Sequence, residues 1–235
     1  MKIGILGAGF IGSAMAALAV RAGHQAMISN SRDPRTLADT AAELGCEAGS
    51  AEEAARFGDV VVIAVPFNRR NGLPATALAG KIVIDTCNYY PDRDGQIEAL
   101  DKRETTTSQL LAAALPQARV VKAFNAILAK DLDPRSSADG AASERGEISR
   151  SGQPAGTANR RALPLASDYA DARQIVSALV DEFGFDPVDA GALAESWRFE
   201  RAKPVYCIPF NRAGLIGGLA AATRDAEQPH GSWRR

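Results

Sequence analysis

Histidine is nearly absent from this 235-residue chain, which has only His24 and His230. Cysteine is scarce as well, and the three present, Cys46, Cys87 and Cys207, are odd in number and far apart. Neither histidine lies near a cysteine in the sequence, which argues against a zinc site of the usual Cys/His type. No metal site is expected. The same scarcity argues against a disulfide framework and for a reducing, cytoplasmic setting. No apolar run approaches the ~18 residues needed to cross a bilayer. Met1-Lys2-Ile3 runs directly into a strand pattern, so no signal peptide is expected ahead of the fold. Neither sign of charge dominates: 27 Lys and Arg face 28 Asp and Glu, for a net charge of −1. There is no global basic field for nucleic acid and no acidic tail. The expected partners are small-molecule cofactors, with no nucleic acid and no membrane; a homodimer is left open.

What is present is an ordinary globular balance, 46% apolar and 23% charged. Such a chain can bury enough surface to offset the entropy of ordering. Strand-like and helix-like stretches alternate from the start. Lys2–Leu6 and Gln25–Ser29 read as strands around a helix over Phe10–Ala22, with Gly23 where a left-handed cap belongs. Asp33-Pro34 reads as an N-cap followed by proline at the first helical position, and Gly45 ends that helix. Ser50-Ala-Glu-Glu opens another. Asp59–Val65 holds a continuous β-branched run, suited to a strand covered on both faces. Lys81–Asp85 and Arg119–Ala123 are further strands. The expected fold is α/β, a Rossmann-type doubly wound parallel sheet with a small C-terminal α/β annex. The expected division is a nucleotide-binding domain over 1–131, a mobile loop over 132–160 and a small domain over 161–235 completing the second-cofactor site. Residues 133–159 lack periodicity and read either as a solvated insertion or as a lid. Asp168–Phe183 reads as an amphipathic helix with Ile175, Val176, Leu179 and Val180 on its apolar face. The residues from Asp225 onward read as frayed.

Gly7-Ala8-Gly9-Phe10-Ile11-Gly12 follows a strand and opens a helix. In that context the spacing is a dinucleotide signature: Gly7 for the turn, Gly9 for approach of a pyrophosphate, Gly12 for helix–strand packing. The free N–H groups of the helix start would hold the phosphates. An NAD site usually carries Asp or Glu at the end of the second strand. Here that position reads Ser29-Asn30-Ser31-Arg32, without an acid and with a guanidinium that suits a 2′-phosphate. Arg35 is a candidate for further charge, and Asp33 reads as a cap. The strand ends at Val65-Pro66-Phe67, at Cys87-Asn88 and at Ala123-Phe124-Asn125-Ala126 should surround the nicotinamide half, because open α/β sheets bind ligands outside their carboxyl ends.

General acid/base chemistry is hard to find. Neither histidine is well placed, and no Tyr-x-x-x-Lys pair occurs. Lys122 alternates with apolar neighbours and reads as structural or ion-paired before catalytic. Tyr89 and Tyr90 are open between acid and packing roles. No catalytic side chain is assigned. The absence suits transfer between two cofactors, in which the protein supplies orientation.

The residues Gly7–Gly12, Asn30-Ser31-Arg32, Val65-Pro66 and Asp85-Thr86-Cys87-Asn88-Tyr89-Tyr90-Pro91 resemble the F-420-dependent NADP reductase family. They also resemble the related cytoplasmic domain of six-transmembrane (STEAP-type) metalloreductases. Thr107-Ser108 through Leu115-Pro116, Arg119–Asn125 and Asp189–Glu195 extend the likeness. The resemblance implies hydride exchange between NADP(H) and a deazaflavin (F-420) or a flavin (FMN or FAD). It implies that Ser31 and Arg32 hold the 2′-phosphate and that Asn125-Ala126 approaches the second ring system. Deazaflavin-using members tend to carry His at the position of Asn125, followed by Ile-Pro; Asn125-Ala126-Ile127-Leu128 is closer to the metalloreductase branch. Two other functions remain open: an NADPH-dependent reductase of a small imine or carbonyl, and a non-enzymatic NADPH-sensing module.

Overall fold

Val60–Ile63 has no polar side, and a strand of that kind needs cover above and below. As β4 it has both: all four residues are at most 2% exposed. The structure, a computed structural model, describes residues 1–136 and 147–229. β1 (Lys2–Leu6), α1 (Phe10–Arg21), β2 (Gln25–Ser29), α2 (Ala38–Leu44), β3 (Glu47–Gly49) and α3 (Ala51–Phe57) precede β4. After it come α4 (Ala75–Leu78), β5 (Ile82–Asp85), the short α5 (Pro91–Asp94) and α6 (Glu98–Asp101), α7 (Thr107–Ala114), β6 (Arg119–Ala123) and α8 (Ala129–Leu132). β7 (Ala162–Ala166), α9 (Ala170–Glu182), β8 (Asp186–Asp189) and α10 (Arg212–Ala221) complete the described fold.

The strands form one sheet in the order β3-β2-β1-β4-β5-β6-β7-β8. Side chains alternate across it. Ile5, Val62, Ile84 and Val121 face a core shared with α1 and α9, while Leu6, Val61, Val83 and Val120 face one shared with α3 and α7. The expected helix ends hold. Asp33 accepts the N–H of Arg35, Gly45 takes φ +69°, and Ser50 with Glu53 forms a capping box.

Three features depart from the expected layout. β7 runs antiparallel to β6, and only its last two residues pair there, Ala166 with Lys122 and Leu165 with Ala123. The rest of β7 therefore extends past the carboxyl edge of the parallel strands, and β8, parallel to β7, extends the sheet beside it. A third cluster, with Phe199, Val205, Leu215 and Leu219, packs against these strands. The tail beyond Asp225 is also tied down as far as it is described: Lys203 donates to the Ala226 carbonyl at 2.9 Å, and Gln228 N–H to Ala202 O at 2.8 Å. On α9 the buried face is Ala172, Val176, Leu179 and Val180, and Ile175 turns to solvent at 37% exposure.

Part of the expected loop, residues 137–146, lies outside the described residues. Its described remainder is anchored. Ser149 N–H bonds Asn159 O at 3.0 Å and Gln153 N–H bonds Gly184 O at 2.8 Å. Arg160 reaches both Asp181 (2.6 Å) and Asp186 (2.8 Å).

Beneath the carboxyl edge, Lys122 and Asp85 form an ion pair at 3.1 Å, both side chains 0% exposed. Lys122 also donates to Cys87 O (2.5 Å) and Thr107 Oγ1 (2.9 Å). Lys122→Met would leave the Asp85 carboxylate buried without a counter-charge. Urea unfolding should show a stability loss of about 3–5 kcal/mol. A loss below about 1 kcal/mol, typical of a surface pair, would contradict this arrangement.

Candidate functional site

The glycine turn is built by close approaches. Gly7 has φ +113°, and a Cβ there would lie 2.2 Å from Ala64 O. A Cβ at Gly12 would lie 1.7 Å from Gly7 O, so only glycine lets α1 pack this near β1. At Gly9 the same test meets nothing within 4 Å, leaving that side of the turn open. No side chain caps α1 and no acid sits in its first turn, so its N-terminal dipole end is free for an anion. Ala8, Gly9, Phe10 and Ser13 form one wall of a cavity of about 700 Å³; Lys130 and Asp133 lie on another. Phe10 is 88% exposed beside it, whereas Ile11 packs against the core.

At the end of β2 the side chains divide by partner. Ser29 is buried and donates to Ile5 O at 3.2 Å. Asn30 braces the turn, donating to Thr36 Oγ1 (3.1 Å) and accepting Arg32 N–H (2.8 Å). Arg35 is bound to Asp33 by two hydrogen bonds, 3.1 and 2.7 Å, and this holds the Asp33 carboxyl below its ordinary range. That guanidinium is already occupied. Arg32 is exposed beside Ser31, and its guanidinium has no ion-pair partner among the described residues.

The three strand ends lie side by side, as their order in the sheet requires. After β4, Val65 is half-buried and Pro66 exposed. Phe67 is 1% exposed in the core, edge-on to Tyr89 at 6.4 Å, so its ring is not open to a ligand. After β5, the Cys87 thiol is buried and donates to Val65 O at 3.2 Å; burial pushes its pKa well up. Asn88 and Asn125 clasp each other across β5 and β6: Asn88 Nδ2 donates to Asn125 O (3.0 Å), and Asn125 Nδ2 to Asn88 Oδ1 (3.2 Å) and Phe199 O (3.0 Å). Asn125 Oδ1 is buried and has no hydrogen-bond partner. Ala123 and Ala126 turn their methyl groups into apolar clusters, and Ala126 O accepts Cys207 N–H at 3.2 Å.

Two features of this edge have no clear sequence signal. Tyr90 and Tyr206 share a hydroxyl–hydroxyl hydrogen bond of 2.6 Å, and burial pushes the Tyr206 phenol pKa up. Phe199 supplies a carbonyl from the far end of the chain. The asparagine clasp does have a signal, since Asn88 and Asn125 follow adjacent strands at similar offsets. Tyr89 bonds Asp101 at 2.9 Å. His24 pairs with Glu182 near the chain start, away from this edge, and His230 lies outside the described residues. Among the described residues no group of three or more His, Cys, Asp or Glu could hold a metal ion. No helix among them is long and apolar enough to cross a membrane.

Fold and glycine turn together define the class, a Rossmann-type α/β protein. Residues 2–89 match the family model described as NADP oxidoreductase, coenzyme F420-dependent. Metalloreductase STEAP3 of Rattus norvegicus is 31% identical over 212 residues, covering 88% of this chain and 37% of that protein. The chain therefore spans little more than a third of that relative's length. The hypothetical protein SMa0349 of Sinorhizobium meliloti superposes with a TM-score of 0.70 at 29% identity, covering 90% of this chain and 95% of the other. A protein of Arthrobacter sp. FB24, provisionally named an F420-dependent NADP-reductase, shares the fold with a TM-score of 0.66 at 24% identity, over 83% of this chain and 87% of that one. The resemblance to the F-420-dependent NADP reductases and to the STEAP-type metalloreductases therefore holds, and the matched family is one of NADP oxidoreductases.

The thiols give a direct check of the site's burial. Burial raises the pKa of Cys46 and Cys87, and pushes Cys207 up to about 12. A thiol stays neutral below its pKa, and only the thiolate attacks a disulfide reagent. At pH 8 the buried Cys87 and Cys207 should therefore react slowly with a chromogenic disulfide in the native protein and be released only on unfolding, leaving at most the half-buried Cys46 to react early. Rapid reaction of two or more in the native state would contradict the packing of Cys87 and Cys207.

Proposed function

We propose that the chain binds NADP(H) along the glycine turn and passes a hydride between it and a deazaflavin or flavin held at the carboxyl edge of the sheet. The observation that carries the nucleotide half is the contrast at the end of β2: Arg35 is consumed by Asp33, while Arg32 is exposed beside Ser31 and unpaired among the described residues. An unpaired guanidinium, beside an Asp33 carboxylate already held by Arg35, suits a 2′-phosphate and leaves a 2′-hydroxyl no free acid to donate to. The open side of Gly9 and the uncapped start of α1 would take the pyrophosphate, with Phe10 and Ile11 lending their N–H groups. When bound, the nicotinamide supplies a hydride from its C4 position.

The remaining residues orient and exclude water. Val65, Pro66 and the main chain of Phe67 would border the nicotinamide ribose. The main chain at Cys87 and Ala123, with the Asn88–Asn125 clasp, would border the ring. The unpartnered Asn125 Oδ1 fits an acceptor for a ligand amide or ring N–H. The second ring would lie beyond Asn125 and the Ala126 main chain. Support for cofactor-to-cofactor transfer comes from the groups already engaged. Lys122 holds Asp85, and Tyr89 holds Asp101. The Tyr90–Tyr206 pair is the observation that favours the second reading, reduction of an imine or carbonyl with Tyr90 as acid.

A charge-assisted contact is worth roughly 1.5–3 kcal/mol. Arg32→Ala should therefore weaken NADPH binding by about 10- to 100-fold and leave NADH nearly unchanged, as fluorescence titration would read. Equal losses for both nucleotides would remove Arg32 from the 2′-phosphate. NADPH bound but never oxidised by F-420, FMN, FAD, imines or carbonyls would leave the sensing module.

A further inference from the structure

A second cavity, of about 200 Å³, lies behind the Tyr89–Pro91 loop, between the start of α7, the stretch around Trp197 and the chain's described tail. It shares no lining residue with the cavity at the glycine turn. It is too small for a dinucleotide, since pockets for drug-sized ligands run to about 300–1,000 Å³.

Its charges are unevenly matched. Each acid on its wall has a donor. Glu200 accepts the N–H and hydroxyl of Thr107 at 2.9 and 2.6 Å. Asp101 accepts the Tyr89 hydroxyl, and Glu227 pairs with Arg103 at 3.1 Å. Two guanidiniums on the same wall have no carboxylate partner among the described residues. Arg201 donates only to Tyr89 O, through Nε at 3.2 Å, and lies over the Tyr90 ring at 5.7 Å. Arg224 donates only to Arg103 O, through Nη1 at 2.9 Å, and lies over the Trp197 ring at 5.2 Å. Both are half-buried, so solvent satisfies them only in part. Lys203 adds a third cation, fixed on the carbonyls of Thr223, Arg224 and Ala226. The planar rings hold Arg201 and Arg224 in place, so little side-chain freedom is lost when an anion arrives.

We propose that this cavity binds a small anionic ligand, through a carboxylate or phosphoryl group held between Arg201 and Arg224, at a site separate from the nucleotide. The inference does not depend on the nucleotide reading. Both sources of the anionic group present the same oxygen fork to a guanidinium.

Isothermal titration of the full chain at pH 7.5, with inorganic phosphate and separately with succinate, tests it. Saturable binding of one anion per chain is expected for at least one probe. Arg201→Gln and Arg224→Gln should each weaken it by about tenfold or more. Arg32→Ala should leave it unchanged; if that substitution abolishes binding, the anion sits at the glycine turn and the proposal fails. Absence of saturable binding by either probe, or binding that survives both glutamine variants, also overturns it. Should a variant not fold, bromide soaked into crystals of the unsubstituted protein decides the matter: an anomalous peak between the two guanidiniums supports the site, and none there refutes it.

Discussion

One fully buried ion pair organises the carboxyl edge of this sheet. Asp85 ends β5 and Lys122 lies one residue from the end of β6, and their charges meet where no water reaches. Burying two charges is costly unless their remaining hydrogen-bonding capacity is used. Here it is used to fix neighbouring segments. Asp85 accepts Cys87 N–H at 2.8 Å and the Ser108 hydroxyl at 2.5 Å, which ties the loop after β5 to α7. Lys122 holds the Cys87 carbonyl from the other side and the Thr107 hydroxyl. Thr107 in turn bonds Glu200, so the C-terminal part of the chain is positioned by the same pair. The Asn88–Asn125 clasp stands directly above it. An apolar pair of similar volume could fill the space, but it could not orient the Cys87 peptide from both faces.

Around that pair the fold separates two kinds of polar group. Those beneath the edge are satisfied internally. Others have no protein partner among the described residues: the N–H groups of the first turn of α1, the exposed Arg32 guanidinium and the buried Asn125 Oδ1. The direction of β7 matters for the same reason. Because it runs against β6 and projects past its end, the segment from Phe199 to Cys207 can fold back over the edge, bringing Tyr206 to Tyr90 and a carbonyl to Asn125. A parallel β7 would have begun at the opposite edge.

Much of this was legible in the residues. The β-branched run of β4, the glycine spacing before α1 and the caps at Asp33, Gly45 and Ser50 each report a local requirement that a single stretch of sequence can express. Lys122 read as a structural lysine, and its environment agrees. What could not be read depends on partners far along the chain. Strand direction leaves no mark on a five-residue apolar run, so the reversal of β7 was not visible. Ile175 fits an apolar helix face by spacing, but α9 is rotated so that Ala172 takes the inward place. The tail past Asp225 has a disordered composition, yet its described part, as far as residue 229, is held by Lys203 and Arg103, many residues away. Phe67 sits at a strand end, where a ligand contact is expected, and turns inward because the apolar space beneath Tyr89 is open to it.

In the proposed reaction, hydride leaves the nicotinamide for a second ring without help from a protein acid. The most direct measurement is single-turnover oxidation of 4-deuterated NADPH, each C4 epimer in turn, with F-420, FMN and FAD as acceptors. A primary isotope effect is expected for one epimer only, with deuterium appearing on the deazaflavin ring where that acceptor is used. If none of the three acceptors oxidises bound NADPH, or if deuterium passes only to the carbon of an imine or carbonyl, cofactor-to-cofactor transfer is contradicted.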